Sequence, residues 1–221
     1  MSKQPKAKLF SLRCVLIDFV RLTGALPGLV WLRPKRRYTS KQAKKRIRGA
    51  ALVIANHTGF LDPAFTMPAL WYRRQYFVCH QAIIESKAGP LLRAAGCLIP
   101  IDADNFGVGS LRAVTGCLNE GKVVVIFPEG HINGGQMLQF RSGVVLMAMQ
   151  GHCPVVPLYI KPRRHWYSRL EVTADEPVDV AALCEGKPAF TKMKEITQLL
   201  QDREAYLEQL ANHNTPTEDL L

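Results

Sequence analysis

The stretch Ala50-Ala51-Leu52-Val53-Ile54-Ala55-Asn56-His57-Thr58-Gly59-Phe60-Leu61-Asp62 decides how this chain is read. Its first six residues form an uninterrupted apolar run, which predicts a short buried strand. The residues that follow, Pro63 to Trp71, predict the opening of a helix. Ionisable side chains are thus held at a strand-to-helix corner, where α/β proteins concentrate their chemistry. Neutral imidazole is a usable base near neutral pH, and a carboxylate on its far nitrogen fixes the tautomer and stabilises the imidazolium. His57 and Asp62 are five residues apart and cannot share a face of a straight helix, but they can meet across a turn. Asp62 also suits a helix cap, with Pro63 at the first helical position. Spacing leaves both readings open.

A second corner of the same kind lies at Gly121-Lys122-Val123-Val124-Val125-Ile126-Phe127-Pro128-Glu129-Gly130, where another buried strand delivers an acid at its end. Asn-His-x4-Asp and Phe-Pro-Glu-Gly are followed or separated by Gly96 to Asp102, Phe140-Arg141-Ser142-Gly143 and Val155-Val156-Pro157-Leu158-Tyr159-Ile160. In this order the segments resemble the glycerolipid acyltransferases that acylate lysophosphatidate, over residues from about Ala50 to about Val180. The resemblance implies an O-acyltransferase of phospholipid biosynthesis, with 1-acyl-sn-glycerol-3-phosphate as the first acceptor to consider. It implies His57 as general base and Asp62 as its partner.

Such a transfer needs a base, a group that orients it, donors for the developing oxyanion and exclusion of water. A Ser or Cys nucleophile is not required, because the thioester is already activated. No Gly-x-Ser-x-Gly elbow is present. Backbone N–H groups of Gly59 and Gly130 are the candidate oxyanion donors. Acceptor binding is carried over to Glu129 and Gly130, although a buried Glu129 could instead hold a neighbouring loop. Two departures concern the acceptor. His131-Ile132 follows Pro-Glu-Gly in place of the usual Thr-Arg or Thr-Ser, and Ile101-Asp102-Ala103 stands where the family has Ile-Asp-Arg. That Arg would hold the acceptor phosphate, a contact that Ala103 cannot make. Arg141, in a context matching the family's Phe-Lys-x-Gly, and His131 are the substitutes. No cofactor is expected beyond acyl-carrier protein or acyl-coenzyme A as donor co-substrate, and no metal: His80, His131, His152, His165 and His213 form no ligand spacing. The alternatives are another lyso-lipid acceptor, or a non-catalytic lipid-binding protein on the same scaffold.

Between and beyond these corners strands and helices alternate. Strands are expected at Gln75–Cys79, Leu98–Ile101, Pro154–Ile160 and Arg169–Thr173. Helices are expected at Ile83–Ala95, Val108–Glu120 (capped by Asp104 or Asn105), Val144–Gln150 and, amphipathically, Ala189–Leu210. The alternation predicts an α/β layered domain with a mixed, largely parallel sheet flanked by helices.

The net charge of +11 is unevenly spread. Residues 1–48 hold fourteen Lys or Arg against Asp18 alone, while the rest carries 15 basic and 17 acidic residues. The apolar stretch Leu9–Leu32 is broken by Arg13, Asp18 and Arg21, and its longest uncharged piece, Leu22 to Leu32, has eleven residues, too few to span a bilayer, which takes roughly 20 apolar residues. It predicts an interfacial or re-entrant helical segment with Trp31 at the headgroups. Arg33 to Arg48 adds nine cations and no acid. The expected organisation is residues 1–48 as an apolar and basic membrane-association segment and 49–221 as the acyltransferase domain. That places the protein on the cytoplasmic side of the cell membrane, peripheral or monotopic, facing an anionic surface. Nucleic acid is disfavoured as a partner, because only Tyr38 is interleaved with the cations. Six scattered cysteines without a C-x-x-C pair read as reduced, buried thiols.

Overall fold

In the computed structural model, the described residues are 27–87, 97–101, 107–132, 134, 137–184 and 189–212, with Val15, Phe19 and Thr23. Among the described residues seven strands form one sheet: β1 (Lys35–Tyr38), β2 (Ala51–Ala55), β3 (Gln75–His80), β4 (Leu98–Ile101), β5 (Val123–Ile126), β6 (Val155–Ile160) and β7 (Glu171–Ala174). Their order is β1-β7-β6-β2-β5-β3-β4. All neighbouring pairs are parallel except β6 with β7. The helices are α1 (Asp62–Ala69), α2 (Gln81–Glu85), α3 (Val108–Asn119), α4 (Gly143–Gln150), α5 (Val180–Leu183) and α6 (Ala189–Asn212). The sheet is mixed and largely parallel, flanked by helices, as the alternation predicts.

The centre of the sheet is buried on both faces, so its strands are apolar at every position rather than alternately. Leu52 and Ile54 of β2 and Val124 and Ile126 of β5 pack with α3, α4 and α6 through Val114, Leu118, Val144, Met147, Ile196 and Leu200. Their in-between neighbours Ala51, Val53, Ala55, Val123 and Val125 point the other way, onto Ala69 and Leu70 at the end of α1, Leu170 and Val172. α3 stops at Gly121, whose φ of +77° lets its N–H and that of Lys122 cap the carbonyls of Leu118 and Cys117.

Two differences from the sequence reading have local causes. Lys35–Tyr38 is an edge strand, paired with β7 in the register Lys35↔Glu171 to Tyr38↔Ala174. The boundary expected after residue 48 therefore cuts through the sheet. A strand of Lys, Arg, Arg and Tyr shows no apolar alternation and is held by backbone pairing at an exposed edge, where cations guard against further pairing. Asp62 opens α1 but does not cap it, since its side chain turns back to the preceding loop. α2 covers the start of the helix expected at Ile83–Ala95. That helix ends at Glu85, because Ser86 turns to extended backbone (φ −66°, ψ 166°); residues 88–95, Asp104, Asn105, most of Leu9–Leu32 and His213 lie outside the described residues. Residues 27–32 are helical. Among the described residues no helix is long and apolar enough to cross a membrane.

Candidate active site

β2 and β5 are adjacent and parallel, so both strand-end motifs emerge at the same edge of the sheet. Asn56 fixes the first. Its Nδ2 donates to the Ile160 carbonyl at 2.9 Å and its Oδ1 accepts from the Ile160 N–H at 2.7 Å. The side chain thereby acts as one further rung between β2 and β6, and it is buried. The next residue, His57, must leave the sheet.

Asp62 receives it. The His57 Nδ1 lies 3.0 Å from Asp62 Oδ2. The same oxygen accepts the backbone N–H groups of Thr58 at 2.6 Å and Gly59 at 2.7 Å, and Oδ1 takes the Thr58 hydroxyl at 3.3 Å. Asp62 is only 2% exposed, so a chain-reversing loop is wrapped around a buried carboxylate, and its N–H donors compensate the burial. With Nδ1–H donating to Asp62, Nε2 carries the imidazole lone pair. The ring stacks on Phe127 of the second motif, centroids 4.3 Å apart and planes at 21°, and its side chain keeps 18% of its surface open. Of the two readings left open by spacing, the geometry is that of the pair.

Glu129 is buried, and both of its oxygens are taken by backbone. Oε1 accepts from the His57 N–H at 3.2 Å and Oε2 from the Leu138 N–H at 2.9 Å. It thus pins the His57 loop to the loop that leads to Phe140, which is the loop-holding alternative. Arg141 then folds back on the motif: its N–H donates to the Pro128 carbonyl at 3.1 Å, and its guanidinium crosses Gly130 and reaches His131 Nε2 at 3.2 Å. Gly130 has φ +76°, and a Cβ there would sit 2.9 Å from Arg141 Nε. Glycine is required both for the turn and for the passage of the arginine. His57, Asp62, Glu129, Gly130, His131 and Arg141 therefore form one continuous cluster, with Arg141 and His131 on its exposed side.

The two expected oxyanion donors are spent within the protein. The Gly59 N–H is held by Asp62, and the Gly130 N–H donates to the Phe127 carbonyl at 3.1 Å. Each turn closes on its own acceptor, which spacing alone does not reveal. Asp102 and Ala103, the altered phosphate element, lie outside the described residues. His80 accepts from the Ala82 N–H at the start of α2, and His165 stacks on Tyr167. Neither joins the cluster. Burial pushes the Cys79 thiol up to about 11 and the Cys153 thiol up to about 12. At neutral pH both are protonated and unsuited to act as nucleophiles.

Three contributions were not assigned from sequence. Asn56 and Phe127 sit inside the quoted motifs, and a polar residue ending an apolar strand was a signal for the first. The third is Glu204 of α6, which is 0% exposed, with both oxygens lacking a hydrogen-bond partner among the described residues. Burial raises its pKa well above the usual carboxylate range. The carboxylates of Glu129, Asp175 and Glu208 add to this, while the Asn56 backbone N–H, near but outside hydrogen-bond geometry, acts the other way. A lone glutamate on a helix with a charged face gave no sign of this.

Fold and site together define a layered α/β protein with a His–Asp pair at the carboxyl edge of a parallel sheet centre. The family model described as Acyltransferase matches residues 35–161, more than half of the chain, and the chain belongs to that family. It is 30% identical over 125 residues to a 1-acyl-sn-glycerol-3-phosphate acyltransferase of Limnanthes alba, covering 55% of this chain and 43% of that protein. To the alpha form of that enzyme from Mus musculus it is 31% identical over 125 residues, covering 54% and 43%. To that of Bacillus subtilis (strain 168) it is 24% identical over 107 residues, covering 48% and 53%. The chain thus spans about half the length of these curated relatives. The crystal structure of the 1-acyl-sn-glycerophosphate (LPA) acyltransferase PlsC from Thermotoga maritima superposes with a TM-score of 0.64 at 18% identity, over 90% of this chain and 81% of that one. At that identity the likeness is one of fold.

Proposed function

We propose that the chain moves a fatty acyl group from an acyl thioester to the hydroxyl of a lysophospholipid, with 1-acyl-sn-glycerol-3-phosphate as acceptor. The observation that carries this reading is the buried Asp62 carboxylate held against His57 Nδ1 at 3.0 Å. It makes Nε2 the basic nitrogen and stabilises the imidazolium formed when the acceptor hydroxyl gives up its proton. The acceptor oxygen attacks the thioester carbonyl and a C–O bond forms. The C–S bond then breaks, and the leaving thiolate takes the proton back from the imidazolium. Phe127 fixes the plane of the ring, and Glu129 fixes the loop that carries it. Arg141 and His131 are the groups for the acceptor phosphate, replacing the arginine whose place Ala103 takes. The donor is acyl-carrier protein or acyl-coenzyme A, and the work is done at the cytoplasmic face of a membrane, with the apolar segment ending at Leu32 as its attachment.

The test is a comparison of acceptors. Release of thiol from an acyl thioester should require an acceptor, and lysophosphatidate should be preferred over a monoacylglycerol of the same chain. Arg141→Ala should erase most of that preference, at least tenfold in kcat/KM for a charge-assisted contact worth about 1.5–3 kcal/mol. Thiol release without acceptor would make the protein a hydrolase. No release at all from any thioester would leave a lipid-binding protein. An unchanged preference in the Arg141 variant would move the phosphate site elsewhere.

A further inference from the structure

The sheet sorts the basic segment into two places. β1 runs parallel to β7 and β7 antiparallel to β6, so β1 begins level with the carboxyl end of β6 and with the His57 corner. From there the run descends the sheet edge. Arg73 holds the carbonyls of Ile47, Gly49 and Gly121 at the opposite end, where β2 and β5 begin. Lys41 to Arg48 thus run from beyond the end of β1 to just before the start of β2, whose five residues alone set that start about 16 Å from the catalytic edge at about 3.3 Å per residue. A surface touching Lys41 to Arg48 and a surface touching His57 are different surfaces.

The catalytic edge carries its own cations and aromatics. The loop of residues 161–170 leaves β6 and returns to β7 at that edge, and it contains Arg163, Arg164, Trp166, Tyr167 and Arg169 without an acid. Trp166 is 73% exposed, and Tyr167 is exposed beside it with the rings edge to face. The loop is built to hold them there. Arg163 donates to the carbonyls of Ser168 and Trp166, and its guanidinium lies 4.7 Å from the Trp31 ring and 5.5 Å from the Phe65 ring. Arg33 donates to the Tyr167 carbonyl, Arg169 to the Arg33 carbonyl, and the Leu170 N–H to the Leu32 carbonyl. The loop and the exit of the apolar segment are therefore one unit. The corner itself adds Phe60, 69% exposed, and Leu61. Glu171, next in sequence, is held by Arg37 at 3.3 Å.

We infer that the loop of residues 161–170, with Trp31 and Arg33, is the surface that meets an anionic lipid layer, and that the Lys41–Arg48 run faces away from it. Exposed Trp and Tyr amid Arg and without acid is the composition of a headgroup-level contact with negatively charged lipid. This placement turns the His57 corner towards the layer in which a lyso-lipid acceptor resides. It rests on the lipid-acceptor reading for its choice of a bilayer as partner.

The experiment uses the full chain carrying Trp31→Phe and Trp71→Phe, so that Trp166 is the remaining tryptophan. Vesicles of phosphatidylglycerol and phosphatidylcholine brominated along their acyl chains are the probe. Trp166 fluorescence should shift to the blue and be quenched on binding. In the otherwise wild-type chain, Arg164→Ala should weaken vesicle affinity about fivefold, and Lys44→Ala by less than half of that. Binding without quenching of Trp166, or a loss that follows Lys44 rather than Arg164, overturns this surface and leaves membrane attachment standing. Absence of vesicle binding by the full chain overturns both. Quenching in a protein that never transfers acyl groups would sustain the surface and remove the transferase reading.

Discussion

Asp62 Oδ2 gathers three N–H donors, one from an imidazole and two from the backbone of a single loop. The His57–Asp62 pair was legible through the resemblance carried by Asn-His-x4-Asp, since spacing alone left a helix cap equally open. The loss of the Gly59 and Gly130 N–H groups as oxyanion donors was not legible. Which N–H a turn consumes depends on dihedral angles, and residue identity leaves these open. Gly130 shows the same limit from the other side. The motif marks a glycine there, but only the structure shows a guanidinium passing over it. Gly130→Ala adds strain at φ +76° and a Cβ 2.9 Å from Arg141 Nε, so the arginine must move. The expected outcome is a rise in acceptor KM of about tenfold, a shift of about 1.4 kcal/mol, with a much smaller change in kcat. Steady-state kinetics over a range of acceptor concentrations measures both, and a change confined to kcat would separate Arg141 from acceptor binding.

The elements differ in how openly they declare themselves. β2, β5 and β6 were readable because strands buried on both faces are apolar throughout, whereas β1 is an edge strand of Lys, Arg, Arg and Tyr whose side chains gave no pattern. α6 was readable as an amphipathic helix, yet it contributes more than an apolar stripe. Gln201 accepts the Phe140 N–H at 3.2 Å, Arg203 pairs with Asp175 at 3.0 Å, and Glu204 is buried behind Asn56. Burial raises the folded pKa of Glu204 above its unfolded value. The fold therefore binds a proton that the unfolded chain releases above an ordinary glutamate pKa of about 4.3. Stability attributable to Glu204 is present in full below that pH and declines as pH rises towards the elevated folded value. Glu204→Gln should remove this slope. Melting temperatures compared from about pH 5 to about pH 9 should fall more steeply for wild type than for the variant. Parallel curves would mean that Glu204 gains a partner on ionisation.

Across the described residues, the cations fall into two groups along the strand direction. The carboxyl edge of the sheet centre holds the His57–Asp62 pair, the Arg141–His131 pair and the aromatic loop, and the opposite edge holds Lys41 to Arg48. Composition revealed the excess of cations in residues 1–48 but not their places along the strands. The antiparallel step from β6 to β7 divides them in space. The proposed transfer depends on the strand-end histidine, so its removal is the most direct test. His57→Ala, assayed for acceptor-dependent thiol release beside wild type, should lose at least about 10²-fold in rate, as expected for a general base, with its melting temperature unchanged. A rate within a few-fold of wild type, in protein that melts at the same temperature, would contradict the account.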